Sequence, residues 1–160
     1  MVELLVAMGV FAILISLVTG VFVRSLRTQR ATVALIAAAS NAELSIEQIM
    51  REIRLGQGFP ESNTYSALTF TNAKGQLVTY SWNNNLGVLA IERSVDGGTP
   101  SRITAENVKV TDLKFEVFKG TPADRYPTFV TIALQVGTED RILADATISL
   151  QTSISSRVLE

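Results

Sequence analysis

From Leu4 to Val23 the chain runs for twenty residues without a charge, and thirteen of them are Leu, Ile, Val or Phe. As a helix this stretch spans about 30 Å, the hydrocarbon thickness of a bilayer. At about −0.3 to −0.6 kcal/mol each, thirteen such residues favour insertion by roughly 4 to 8 kcal/mol, an upper figure because end positions count for less. A core helix this apolar needs a large domain around it, and the remaining chain is too small for that. A cleaved signal peptide fits poorly. No basic region precedes the run, the run is long, and no small-x-small pattern follows it. The expectation is therefore a membrane helix over residues 1–23.

Outside this stretch the 160-residue chain is ordinarily polar. Its 14 basic and 15 acidic residues leave a net charge of −1, so no global field favours nucleic acid. The chain has neither Cys nor His. Disulfides, thiol nucleophiles, imidazole bases and the usual zinc ligands are thereby removed.

Glu3 stands at the edge of the apolar run, where a carboxylate is costly once drawn into lipid. Two roles suit it: a headgroup-level charge favoured by the positive helix N-terminus, or a partner for a cation on another subunit, such as that subunit's N-terminal amine. Arg24, Arg27 and Arg30 close the run and, by the positive-inside rule, would hold the C-terminal side in the cytoplasm.

Helical character continues beyond the bilayer. Residues 24–55 lack Pro and Gly and are dense in Ala, Leu, Glu, Gln and Arg. Apolar residues recur at Leu26, Val33, Ile36, Ala37 and Leu44. Ile46, Ile49, Met50 and Ile53 then follow the i, i+3, i+4, i+7 pattern, with Glu43, Glu47, Arg51 and Glu52 lying off that stripe. Gly56 after Leu55, with Arg51 and Arg54 in the last turn, is a C-terminal stop. A helix over Glu3–Leu55 would be about 80 Å long.

After Gly56-Gln57-Gly58-Phe59-Pro60 the period changes to two. Strands are expected at 66–72, 76–82, 86–93, 108–119 (interrupted near Thr111-Asp112), 128–136 and 146–157. Turns fall at Ala73-Lys74-Gly75, Asn83-Asn84-Asn85 and Asp96-Gly97-Gly98, with a polar loop over 122–127. Short strands with tight turns imply an antiparallel sheet, which the distal helix stripe covers. The expected fold class is α+β: a long N-terminal helix, its proximal half transmembrane, packed by its distal half (residues 24–55) on an antiparallel β-rich head (56–160). Residues 24–160 would form one extracytoplasmic domain.

Val2-Glu3-Leu4-Leu5-Val6-Ala7-Met8-Gly9-Val10-Phe11-Ala12-Ile13 resembles the N-terminal methylation motif of type IV pilins and type II secretion pseudopilins. An apolar run with one glutamate at this offset is a specific signal. Ile46-Glu47-Gln48-Ile49-Met50-Arg51-Glu52-Ile53-Arg54 is similar to the helix of J-type minor pseudopilins and related minor pilins. So are Asn107-Val108-Lys109-Val110-Thr111-Asp112-Leu113-Lys114-Phe115-Glu116 and Gln151-Thr152-Ser153-Ile154-Ser155-Ser156-Arg157. The resemblance is strongest over residues 2–55.

It implies a minor pilin or pseudopilin that primes, caps or joins the tip of a type IV pilus or type II secretion filament. Glu3 would neutralise the N-terminal amine of an adjacent subunit. Leu4, Leu5, Val6, Val10, Phe11, Leu14, Leu17, Val18 and Val21 would exchange lipid for neighbouring helices in the filament core. The implied partners are other pilins or pseudopilins, membrane lipid, an assembly platform and a prepilin peptidase. The implied location is the inner membrane, crossed once, with the head extracytoplasmic. Family members carry a short basic leader, cut after a glycine. Only Met1 precedes Val2, so no cleavage or methylation site is assigned to a residue. Such a leader's charges would outweigh Arg24, Arg27 and Arg30. The helix lacks the proline at which some pilins melt, leaving Gly20 as its weak point.

Other chemistries rank lower. Asp124 with Arg125, Thr138-Glu139-Asp140-Arg141, and Asp145 are acidic loops without calcium-loop spacing. Lys74, Lys109, Lys114 and Lys119 lie in no Ser–Lys motif. Tyr80 and Trp82 read as core rather than as a ligand patch. The expectation is a structural subunit, not an enzyme, with no cofactor or metal. The competing reading is a single-pass anchored binding module that stays monomeric. Glu3→Ala would be neutral in that module and would impair assembly in a filament subunit.

Overall fold

The computed structural model describes residues 2–83, 89–120, 126–138 and 146–157. Helix α1 (Val2–Arg54) is one element of 53 residues, unbroken through Gly20. It ends where expected, but Gly56 acts through space and not through a left-handed conformation. A Cβ there would lie 2.6 Å from Cδ2 of Phe70 and 3.1 Å from Cζ of Phe59. The positive-φ glycine after the helix is Gly58, at 72°. Helix-end carbonyls that would otherwise lack partners are taken up by the far end of the chain. Arg157 N–H donates to Arg54 O at 2.8 Å, and the Ser156 hydroxyl donates to Gly56 O at 2.8 Å.

Among the described residues the chain then forms eight strands, the longer ones alternating in burial: β1 (Asn63–Tyr65), β2 (Ala67–Thr71), β3 (Leu77–Asn83), β4 (Ala90–Val95), β5 (Ser101–Arg102), β6 (Lys109–Phe118), β7 (Phe129–Gly137) and β8 (Thr147–Ser155). They divide into two antiparallel sheets, in the orders β1-β6-β7-β8 and β2-β3-β4-β5. The turns follow their residues. Gly75 sits at φ 76°, and Asp96 and Gly97 sit at 52° and 71°, the paired positive values of a type I′ hairpin turn. The expected break in β6 is a register shift between Val110 and Asp112. β1 and β5, at three and two residues, are too short to show a period in sequence. Residues 84–88, which hold part of the expected Asn turn and the start of an expected strand, lie outside the described residues.

Both sheets and the distal part of α1 share one core. Ala38, Ala42, Ile46, Ile49 and Ile53 of the helix cluster with Leu68, Phe70, Val78, Tyr80 and Ile91 of one sheet. From the other come Val110, Leu113, Phe115, Val117, Val130, Ile132, Leu134 and Val136. Tyr80 is fully buried and Trp82 packs against the cluster, as the core reading expected. The Trp82 indole N–H donates to Val110 O at 3.2 Å.

Ile46, Ile49, Met50 and Ile53 do face the head, and the stripe continues upward through Ala42, Ala38 and Ala31. Leu26, Val33, Ile36, Ala37 and Leu44 do not join it; they are exposed. At 100° per residue these five lie on the side of the helix away from the buried row.

Candidate functional site

Every residue from 2 to 30 is exposed, and burial begins at Ala31. From Leu4 to Val23 the exposed segment is apolar all round and not amphipathic, the pattern of a helix immersed in lipid or in a bundle of its own kind. Leu4, Leu5, Val6, Val10, Phe11, Leu14, Leu17, Val18 and Val21 are each at least half exposed. The structure therefore contains one N-terminal helix long and apolar enough to cross a membrane, with its most apolar stretch unburied. Glu3 lies in its first turn, where a carboxylate favours the positive end of the helix. Among the described residues no cation lies within ion-pair distance of Glu3.

Beyond the bilayer length, α1 carries two apolar faces. One is buried in the head. The other, Leu26, Val33, Ile36, Ala37 and Leu44, points away from it, with Val33 60% and Leu44 64% exposed. Spacings of 7, 4 and 7 along Leu26, Val33, Ala37 and Leu44 keep this row on one side of the helix.

The distal helix is locked to the head by a polar cluster absent from the sequence expectations. Glu52, read there as lying off the packing stripe, sits at its border and faces the second sheet. Its Oε1 accepts from Arg93 at 2.6 Å and from Asn72 at 3.1 Å. Its Oε2 accepts from Arg93 Nε at 3.0 Å and from the Tyr80 hydroxyl. Burial alone pushes the Glu52 carboxyl up. Hydrogen bonds from Arg93, Tyr80 and Asn72, with the charge of Arg93, more than reverse this and hold it below the usual carboxylate range. Burial, and then the hydrogen bond to Glu52 and its charge, push the Tyr80 hydroxyl well above its ordinary value. Asn72 also closes the β2–β3 turn, where its Oδ1 accepts from Lys74 N and Gln76 N. The only sequence signal for the cluster was a lone Glu at the margin of an isoleucine stripe.

An open cleft of about 360 Å³ borders the cluster, lined in part by Arg51, Leu55, Lys74 and Arg93. Among the described residues no three acidic side chains converge as a metal site would require. Of the acidic-loop candidates, Asp124, Arg125, Glu139, Asp140, Arg141 and Asp145 lie outside the described residues, whereas Thr138 is buried. Of the four lysines, Lys114 pairs with Asp112 at 2.9 Å and Lys119 with Glu61 at 3.1 Å. Comparison of the chain with known protein families, with curated proteins and with solved structures gives no match.

Proposed function

We propose that the chain is an assembly subunit of an extracytoplasmic filament of the type IV pilin or pseudopilin kind, in the position of a minor subunit. The observation that carries this reading is the second apolar face of α1. A lone anchor needs apolar surface only where lipid touches it. Leu26, Val33, Ile36, Ala37 and Leu44 lie beyond the 20-residue apolar run, on the side away from the head. There they would meet water unless another helix covers them, and each Leu, Val or Ile side chain fully covered gains about 1.5–3 kcal/mol. In this reading Leu4, Leu5, Val6, Val10, Phe11, Leu14, Leu17, Val18 and Val21 leave lipid for the helices of neighbouring subunits. Glu3 pairs with a neighbour's N-terminal amine, which offsets the cost of a carboxylate drawn into lipid. The α1 segment crosses the inner membrane with the head outside the cytoplasm. Partner pilins, the assembly platform and a prepilin peptidase are the proteins it meets.

The test is a shearing experiment on cells expressing the full-length gene, wild type against Glu3→Ala. The expected result is that wild-type protein sediments with sheared filaments while Glu3→Ala stays in the membrane with a folded head. If neither protein leaves the membrane and no pilin accompanies either, a monomeric anchored module is the better account.

A further inference from the structure

Strand β8 is the one long unguarded edge among the described residues. Its nine residues, Thr147–Ser155, carry no charge and no proline, and its register with β7 has no bulge. The other edges are blunted. β1 has three residues and β5 two. The outer side of β2 is bridged by Gln57, whose N–H and C=O exchange hydrogen bonds with Thr71 at 2.9 and 2.8 Å. Protein edges of this length are ordinarily protected by charge, proline or a bulge, because their free amides recruit further strands.

The geometry identifies which groups are free. Ser156 N–H donates to Thr128 O at 2.8 Å, and Ser155 stands opposite Phe129. The even-numbered residues of β8 therefore exchange hydrogen bonds with β7, and the odd-numbered ones direct N–H and C=O outward. Arg157 agrees with this phase, since its N–H points away from β7 and reaches Arg54 O. The amides and carbonyls of Ser149, Gln151 and Ser153 thus form an outward row with no partner among the described residues. On the helix-facing side of the same strand, Ile148 and Leu150 are only half-buried at the rim of the core.

We propose that β8 accepts an extended segment of a different polypeptide, added as a further antiparallel strand. The segment is at least five residues long and uncharged, with apolar side chains at alternate positions that cover Ile148 and Leu150. A second copy of this chain does not fit. Antiparallel β8–β8 pairing needs a twofold axis normal to the sheet. Helix α1 lies along the sheet face, so that axis reverses it and sets the two apolar helices in opposite directions. That conflicts with anchoring from one side of a membrane, the one point at which this inference rests on the proposed function. Parallel β8–β8 pairing keeps the helices compatible but inverts one sheet. Ile148 and Leu150 would then adjoin the polar row Ser149, Gln151 and Ser153 of the other copy.

The experiment uses the full chain in detergent micelles and a fluorescein-labelled nonapeptide copying Thr147–Ser155. Free of a helix, this peptide can pair antiparallel with its apolar face matched to that of β8. Fluorescence polarisation is expected to show saturable binding to wild type and to Gln151→Ala, and at least tenfold weaker binding to Gln151→Pro. The proline removes one outward N–H that folding does not use. A peptide N-methylated at alternate residues, which tests the same hydrogen bonds without altering the protein, is expected not to bind. Glu3→Ala should bind as wild type does, so a failure of the filament reading is separable from a failure here. Absence of binding to wild type, equal binding to Gln151→Pro, or binding of the N-methylated peptide overturns the proposal. A dimer of the full chain, seen by sedimentation and abolished by Gln151→Pro, overturns the choice of occupant.

Discussion

Glu52 shows how a charged residue at the margin of an apolar stripe comes to serve the core. Its side chain and that of Arg93 are 21% and 23% exposed, and three side chains donate to one carboxylate. Removing one partner from such a set leaves a poorly hydrated charge, costing about 1–3 kcal/mol or somewhat more. Arg93→Met is expected to destabilise the head by about that amount in denaturant titration, with Glu52→Gln milder because the amide still bonds. The pH dependence has a definite sign. The folded carboxyl titrates below its unfolded value of about 4.3, so the folded state binds fewer protons there. Its contribution is complete above the unfolded value and is lost as pH falls through the folded one. Thermal melts between about pH 5 and pH 3 should fall more steeply for wild type than for Glu52→Gln. Gly56 gives a second prediction at this scale. Gly56→Ala drives a methyl into the Phe70 ring, and overpacking of this kind costs about 1–3 kcal/mol. A Phe70→Leu background should recover part of the loss relative to its own Gly56 parent.

At the scale of elements, the helix carries the sharpest contrast between what period shows and what it hides. Length, termini and the Ile46–Ile53 face of α1 were legible because apolar spacing and the absence of Pro and Gly determine them. The assignment of Leu26, Val33, Ile36, Ala37 and Leu44 was not. A helix with two apolar faces gives overlapping periodicities, and composition does not say which face a sheet will cover. Ahead of Ile46 the head takes the face with alanines at 38 and 42, which permits close approach, and leaves Val33, Ile36 and Leu44 outside. The six longer strands were legible from alternation, whereas β1, β5 and the division into two sheets depend on long-range pairing that no local pattern encodes. The Glu52–Arg93 contact joins residues 41 apart and was hidden for the same reason. The two faces predict opposite phenotypes. Ile49→Ala should lower head stability by about 2–5 kcal/mol, as deletion from a packed core does. Leu44→Glu should leave the unfolding midpoint nearly unchanged and, on the filament subunit we propose, reduce recovery of the protein in sheared filaments.

For the whole molecule, the distribution of burial makes the helix two objects joined end to end. Up to Arg30 no side chain is buried, whereas burial begins at Ala31, and from Ala38 the helix supplies one wall of the core and is capped by the residues that follow β8. Most helical stability in proteins comes from packing an apolar face, not from propensity. The segment before Ala31 therefore draws no order from the head, and the head owes it little. A chain starting at Thr28 should be soluble without detergent, monomeric, and unfold cooperatively with a midpoint within a few degrees of the full chain in micelles. Calorimetry on both chains checks this. A midpoint close to that of the full chain means that substitutions between Leu4 and Val23 report on insertion and assembly alone. A large drop would mean that the two halves of α1 fold as one unit, and filament phenotypes in the apolar half would then have to be corrected for damage to the head.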